Sequence, residues 1–521
     1  MLSMLRKTLI KICFVLCVCA AATASVAATN SGKPNILILY ADDLGYGDLS
    51  CQNPDSKIPT PNLDDLAQTS MRFSDGHSSS GICTPSRYAL LTGRYHWRKF
   101  HGIVNAFGDS VFDSQRLTMS EMLKTKGYST AAIGKWHLGW NWESIRKPDA
   151  KPHATDRRNR NVWGPKAFNW TLPIADGPLA HGFDYYFGDT VINFPPYCWI
   201  ENNLVTQVPD RMMDTKLWKP IKEGNWECRP GPMVDDWDPY ENLPTLAARG
   251  EAYLHAQSAQ EEPFFLFFAF PSPHAPIIPN DQFDGLSQAG AYGDFVCETD
   301  DVCGRLLRAL EESRQADNTL VVFTADNGSE RYAYRRDQRF DHWSSAPFRG
   351  LKRDIYEGGH HVPYLIRWPG VTEPGQVCNA LVSQIDLMAT FASVVGFELP
   401  DESAEDSFDL VPLLQGDVSS VRESHVHNTY ANAYAIRSRN WLLVDRTDGY
   451  HSQRNAKWEK KHSYPPDDGS PAELYDLASD LGQRRNLASK HSDKVASLRA
   501  KLKILRGQGF SAPRLVAESR R

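Results

Sequence analysis

Asn35-Ile36-Leu37-Ile38-Leu39-Tyr40-Ala41-Asp42-Asp43 sets the reading of the chain. A short apolar run without polar alternation predicts a strand buried on both faces. It ends abruptly in two carboxylates. The same switch recurs at Phe264–Phe270, which runs into Pro271-Ser272-Pro273-His274, and at Val321–Thr324, which runs into Ala325-Asp326-Asn327. A fourth run, Thr130–Ile133, leads to Lys135 and His137, which alternate and so share one face. Open α/β sheets place their sites at the C-terminal ends of strands. Helical patterns at Asn62–Thr69, Ser86–Leu91, Met119–Lys126 and Gly293–Glu312 fall between these runs. The alternation predicts an α/β fold: a mostly parallel central sheet covered by helices on both faces.

Residues 141–245 break this rhythm, being rich in Trp, Pro, Asn and charge. Insertions of such length predict part of a substrate cleft. Ser383–Val395 reads as a helix capped by Gly396. Beyond residue 416 the pattern changes. His425–Tyr430, Ala433–Arg437 and Trp441–Asp445 predict strands of an antiparallel unit, and Glu473–Leu477 precedes a final amphipathic helix, Ser492–Leu505. The expected division is a signal peptide at 1–28, a catalytic domain at 29–415, and a smaller C-terminal α+β domain with an antiparallel sheet at 416–521. Gln508–Arg521 reads as a loose tail.

The 521 residues carry 41% hydrophobic and 11% aromatic side chains, which marks a globular chain. A net charge of −6 gives no footprint for nucleic acid, and Arg157, Arg158 and Arg160 read as a solvated loop. Arg6, Lys7 and Lys11, the apolar run Ile12–Val18 and the small residues Ser25–Ala28 have the layout of a secretory signal. Export to the periplasm or the exterior is expected, with no stable membrane span after cleavage. Six cysteines outside the signal and Cys83 are then available for pairing; Cys198 and Cys228, which bracket one loop-rich insertion, are the expected pair. Cys297 and Cys303 lie six helical steps apart, roughly 9 Å along the axis and on different faces, beyond disulfide reach.

Residues 81–93, Gly-Ile-Cys-Thr-Pro-Ser-Arg-Tyr-Ala-Leu-Leu-Thr-Gly, place Cys83, Pro85 and Arg87 in a C-x-P-x-R frame. Pro85 suits the first helical position and Gly93 a left-handed C-cap. Cys83 is then expected just before a helix N-terminus, where unpaired N–H groups favour an anion, with Arg87 one turn in. Asp42, Asp43, Asp326 and Asn327 stand at the ends of core strands. Three carboxylates need compensating cations there. All-oxygen donors select a hard ion, and the uneven carboxylate–amide set suits Ca²⁺. Lys135 beside His137 suits an anionic group plus proton transfer. His274 is held between Pro273 and Pro276. Lys352 follows Pro347-Phe348-Arg349-Gly350-Leu351 and precedes Tyr356-Glu357-Gly358-Gly359-His360.

From Lys33 to Glu473-Leu474-Tyr475-Asp476-Leu477, these blocks in this order resemble the type I sulfatases of the alkaline phosphatase superfamily. The C-x-P-x-R and Gly134-Lys135-Trp136-His137 motifs carry the likeness. The resemblance implies that Cys83 is oxidised to Cα-formylglycine (3-oxoalanine) by a formylglycine-generating or anaerobic sulfatase-maturating enzyme. It implies one Ca²⁺ per chain on Asp42, Asp43, Asp326 and Asn327, touched by the modified Cys83. Arg87, Lys135, His137, His274 and Lys352 match the residues that hold the aldehyde hydrate and the sulfate, with Lys135, His274 and Lys352 on the substrate. One departure is visible: in Gly359-His360-His361-Val362-Pro363, many relatives carry Arg at the position of His361.

The implied reaction is hydrolysis of a sulfate monoester. One hydroxyl of the formylglycine hydrate attacks sulfur, His274 assisted by Lys352 protonates the leaving alcohol, and His137 takes a proton in the later elimination. A phosphonate monoester hydrolase or phosphodiesterase of the same superfamily is the alternative. Export and the relatives point to a sulfated saccharide, with a lean to a galactose-type sugar. Trp140, Trp142, Trp163, Trp199 and Trp343 offer aromatic faces suited to sugar rings.

Overall fold

The computed structural model describes residues 32–429, 433–445, 455–466 and 468–513. The N-terminal run expected to be a secretory signal and the end of the tail lie outside them. The described residues from Pro34 onward form one compact unit.

Four predicted strands form the heart of a ten-stranded sheet: β1 (Asn35–Ala41), β2 (Ser129–Gly134), β3 (Phe264–Ala269) and β4 (Thr319–Ala325). They lie in the order β4-β1-β3-β2, all parallel, with Tyr185–Gly188 continuing the parallel run beyond β2. Tyr364–Arg367 and Ile200–Glu201 turn antiparallel at either side. The sheet is thus parallel at its centre and mixed at its margins.

Register decides where the polar residues go. Ala41 pairs with Ala325, Tyr40 with Ala269, and Ala269 with Gly134. All four strands therefore end level, and their polar extensions share one edge. Helices cover both faces, as alternation of side chains requires. Ile36, Ile38 and Tyr40 pack with α2 (Cys83–Thr92), α3 (Met119–Thr125) and α6 (Leu387–Val395). Leu37, Leu39 and Ala41 face α1 (Pro61–Gln68), α4 (Asn242–Gln257) and α5 (Gly290–Glu312). Helix α4 was not foreseen. It packs so closely that a Cβ on Gly250 would come within 2.6 Å of Leu306 and 2.8 Å of Phe268.

The C-terminal strands β5 (Ser424–Asn428), β6 (Tyr434–Ser438), β7 (Trp441–Val444) and β8 (Glu473–Asp476) form an antiparallel sheet in chain order. The predicted end of the first strand, Tyr430, lies outside the described residues. One face packs on α7 (Ser492–Gly507) through Val495, Leu498 and Leu502. The other brings Ala435, Leu442 and Tyr475 against Ile355 and Tyr356. The second sheet thereby holds the glycine-rich loop after Lys352.

Two expectations are corrected. Cys198 and Cys228 are separate thiols, as is every other cysteine among the described residues. Cys198 is buried in an apolar cluster with Tyr197, Trp218 and Met233, while Cys228 meets the Tyr197 hydroxyl. Trp140 and Trp142 are core residues, 1% and 4% exposed, and offer no sugar-binding face.

Candidate active site

Helix α2 starts one turn earlier than its apolar pattern indicates. Cys83 is its first residue and Pro85 its third, behind Ile82 as N-cap; Gly93 closes it at φ +65°. Proline is tolerated there because first-turn N–H groups have no partner within the helix. Cys83 thus lies inside the N-terminal turn, 2% exposed, and its thiol points to Asp42 Oδ1 at 3.6 Å. Burial, then Asp326, pushes that thiol well above its ordinary value. As an unmodified cysteine it is a protonated, poor nucleophile.

The strand ends deliver the rest. Arg87, fully buried, donates Nε and Nη2 to Asp326 Oδ2 at 3.1 and 3.0 Å and Nη1 to the Lys135 carbonyl at 2.9 Å. It stacks over the Tyr40 ring, whose hydroxyl is held by Gln384 at 2.8 Å. Lys135 pairs with Asp42. Lys352 lies 2.6 Å from Asp43 Oδ1 and 2.7 Å from Oδ2. Burial opposes charge on Lys352, but Asp43 outweighs it and holds the ammonium above its ordinary value. Asp43 is driven the other way, below the usual carboxylate range, because Lys352 and His274 overcome its burial. Three carboxylates are thus faced by three cations of the same chain. Burial, then Asp42, raises Asp326 to about 6 despite Arg87.

The site fits a hard cation on two observations. Asp42, Asp43, Cys83 and His274 each offer a ligand atom, all within 4.8 Å of one another. Asn327 donates Nδ2 to Asp43 Oδ1 at 2.7 Å, while its own Oδ1 is buried without a partner among the described residues. A buried unpaired amide oxygen is costly unless a cation meets it. Asp326 stands one step back, with Oδ1 accepting the Asp43 N–H at 3.2 Å and Oδ2 occupied by Arg87. The structure therefore brings all four predicted ligands into one network, with Asp326 committed to Arg87.

The two histidines differ in tautomer. His137, at φ +55°, donates Nε2–H to the Val104 carbonyl at 3.0 Å. Its Nδ1 is buried and unpartnered, and burial keeps the ring neutral, well below its usual pKa. A lone pair held ready in this way belongs to a base. His274 turns Nδ1 to the Ala275 carbonyl and leaves Nε2 at 3.7 Å from Asp43 Oδ2, partly exposed. Burial and the nearby Lys352 lower it to about 3 in the substrate-free site.

Residues outside the motifs complete the cleft. Phe194 meets the edge of His137 with ring centroids 5.4 Å apart, and the Arg229 guanidinium lies 3.5 Å over Phe194. Asn105 Oδ1 accepts from both Arg160 and Arg229 at 3.0 Å. Arg160, expected in a solvated loop, is thus tied to the residue next to Val104. Nothing in sequence spacing announces the Val104 carbonyl or these arginines.

The "Sulfatase" family profile matches residues 34–397, which holds every residue of this site. The chain belongs to the sulfatase family. A second profile, the C-terminal region of N-sulphoglucosamine sulphohydrolase, matches 350–508 and so spans the second sheet. This sulfatase is 30% identical over 496 residues to the N-acetylgalactosamine-6-O-sulfatase of Bacteroides thetaiotaomicron, covering 90% of this chain and 92% of that one. It is 33% identical over 404 residues to human N-acetylgalactosamine-6-sulfatase, covering 74% and 66%. A solved sulfatase structure from work on glycosaminoglycan metabolism by Bacteroides thetaiotaomicron superposes with a TM-score of 0.74 at 27% identity, covering 92% of this chain and 100% of the other. PsFucS1 sulfatase from Pseudoalteromonas sp. shares the fold, with a TM-score of 0.67 at 22% identity over 93% and 92% of the chains. The sulfatase is accordingly a sulfuric ester hydrolase, and its mostly parallel sheet with an antiparallel C-terminal sheet is the fold of these relatives. Among the described residues no helix is long and apolar enough to cross a membrane.

Proposed function

We propose that this sulfatase is exported and removes the 6-sulfate from an N-acetylgalactosamine-type sugar in a sulfated saccharide, using formylglycine at Cys83 and one Ca²⁺. The observation that carries the reaction is the convergence of four level strand ends and the first turn of α2 on one buried, charge-balanced cluster. The substrate reading rests on the 30% identity, over 90% of the chain, to a sulfatase named for that sugar and position. We further propose the division of labour 29–415 and 416–521 between catalysis and support, with a maturating enzyme acting on Cys83 before the protein works.

Calcium, held by Asp42, Asp43, Asp326 and Asn327 beside Cys83, would supply Lewis-acid stabilisation of charge on the sulfate oxygens. Formylglycine would supply the attacking hydroxyl that a raised thiol cannot. The chain's own residues do the rest. Lys135 and Lys352 neutralise the anionic ester and so lower the barrier to attack on it. An incoming sulfate offsets the Lys352 and Lys135 charges that add to burial in keeping His274 neutral, so His274 gains its proton as the ester binds and passes it from Nε2 to the departing sugar oxygen. His137 then accepts a proton at Nδ1. Arg87 touches no substrate; it fixes Asp326 and the turn that carries Lys135.

The test is direct. Protein co-expressed with a formylglycine-generating system is digested and the Cys83 peptide weighed. The same protein is assayed on oligosaccharides bearing N-acetylgalactosamine 6-sulfate or 4-sulfate. Loss of the thiol mass and selective release of sulfate from the 6-position are expected. Full activity with unmodified Cys83 would overturn the mechanism, and preference for the 4-sulfate would overturn the substrate.

A further inference from the structure

Three segments far apart in sequence bring five buried histidines together away from the active-site network. His77 ends a two-residue strand and bridges to His361; His360 and His361 follow the Glu357 turn; His425 and His427 lie on one face of β5. The His360 and His427 rings stack at 3.5 Å, and those of His77 and His427 lie 5.2 Å apart.

The tautomers can be read from the partners. His77 Nε2 faces Asp75 Oδ1 at 2.8 Å, and His360 Nε2 faces the Ile355 carbonyl at 3.2 Å. Carboxylate and carbonyl oxygens only accept, so each Nε2 carries the hydrogen. The neutral rings then turn bare Nδ1 atoms toward each other at 3.2 Å. Two lone pairs at that distance repel unless a cation meets both. Two further groups lack partners among the described residues: both ring nitrogens of His427, and Glu357 Oε1. Both residues are fully buried. One ligand atom from each of His77, Glu357, His360 and His427 lies within 4.8 Å of the others.

We propose that His77, His360, His427 and Glu357 bind a zinc-class divalent ion, a site separate from the calcium site and built to hold β5 against the loop that carries Lys352. With Zn–N bonds of about 2.0–2.1 Å, the edge of a tetrahedron is about 3.3 Å, close to the Nδ1–Nδ1 spacing of His77 and His360, while the His427 ring, stacked nearly parallel on His360, turns to point a nitrogen at the ion. Three imidazoles and one carboxylate select a borderline ion over Ca²⁺. The outer partners are those a metal site uses: Asp75 and the Ile355 carbonyl orient His77 and His360, while His361 at 2.9 Å and Arg437 at 3.4 Å hold Glu357 Oε2 and leave Oε1 for the ion. Four protein ligands close the site to substrate, so its part is structural.

The full-length protein, stripped with a strong chelator and returned to calcium buffer, is titrated with Co²⁺. One Co²⁺ per chain with the visible absorption of a four-coordinate site is expected, displaced by Zn²⁺ with a rise in Tm. His427→Ala should lose the band, and Asp43→Asn should keep it. Absence of the band and of any Zn²⁺-dependent Tm shift in the wild type overturns the site, whatever the variants do. Loss in Asp43→Asn with retention in His427→Ala or His360→Ala overturns it too, because the ion then sits among the active-site carboxylates.

Discussion

In the active site Asp42, Asp43 and Asp326 face Arg87, Lys135 and Lys352, whereas in the second cluster five imidazoles gather beside Glu357, with Asp75 and Arg437 at its edge. Both clusters are buried, yet their charges are handled differently. The first is balanced carboxylate against cation, so a divalent ion bound there leaves positive charge to meet the singly charged sulfate ester. The second is mostly neutral nitrogen, and its unpartnered atoms ask for a cation alone. One cluster is arranged to exchange an anion; the other gains by holding what it binds. That contrast can be broken by substitutions that act on activity and on stability separately.

The largest effect is expected at Cys83. Cys83→Ala should lower turnover on the order of 10⁶-fold, the scale of removing a covalent nucleophile. Its Tm should stay within a few degrees of wild type, because no ion pair depends on the thiol. Residual activity within tenfold of wild type would show that the carboxylate–cation cluster works without a nucleophile at position 83.

Asp326 comes next and joins the two readouts. It takes both the Nε and Nη2 bonds of the buried Arg87. Asp326→Ala strands that guanidinium, and breaking a buried pair in this way typically costs ~3–5 kcal/mol. Denaturant unfolding should show a loss of that size, together with loss of calcium by elemental analysis. The double variant Asp326→Ala/Arg87→Met should recover much of the stability and none of the activity. No recovery would mean that the pair is not what stabilises this part of the core.

How much of this was readable before folding follows from the same physics. β1, β3 and β4 are buried on both faces, so their apolar runs are continuous and their polar ends stand out. Tyr185–Gly188 and Tyr364–Arg367 extend the sheet with four residues each, too few to set up a pattern. Helix α4 has a proper apolar stripe in Leu243, Leu246, Ala247 and Leu254, but it follows a long irregular stretch and carries Pro244 and Gly250. The active site was legible because its members other than Lys352 follow the end of a strand or lie in the first turns of a helix, and Lys352 is marked only by the glycine-rich loop around it. His77, Glu357, His360 and His427 were not, since only the bridge to His361 and the packing of the second sheet bring positions 77, 357–360 and 427 together. The Val104 carbonyl that fixes the His137 tautomer carries no sequence signal, because every residue has a carbonyl.

The histidines of the active site should separate by leaving group. A nitrophenolate departs without a proton and a sugar alkoxide does not. His274→Ala should therefore cut hydrolysis of the sulfated sugar by ~10²–10⁴-fold and hydrolysis of nitrophenyl sulfate far less. His137→Ala should reduce both alike, since its proton transfer follows departure. Equal losses on both substrates for His274→Ala would leave it as a sulfate binder only.

The smallest effect tests whether uncompensated charge at the cleft reads the rest of the saccharide. Arg87 is spent on Asp326. Arg229 makes no ion pair among the described residues; it rests on Phe194 and donates to Asn105, which it shares with Arg160. Burial and then Arg160 pull its pKa down to about 9, so it still carries its charge at neutral pH. Phe194 in turn touches His137, which puts this cation at the border of the catalytic pocket. A half-buried arginine with a like charge beside it gains from an anionic ligand what it lacks from the protein. Arg229→Ala should raise KM for a sulfated oligosaccharide about 3- to 10-fold, or up to about 1.4 kcal/mol of binding, with kcat nearly unchanged. Nitrophenyl sulfate, which has nothing to extend beyond the sulfate, should show no change in KM. A fall in kcat on both substrates would mean that Arg229 acts through Phe194 on the placement of His137, and that the charge at the cleft is structural like that of Arg87.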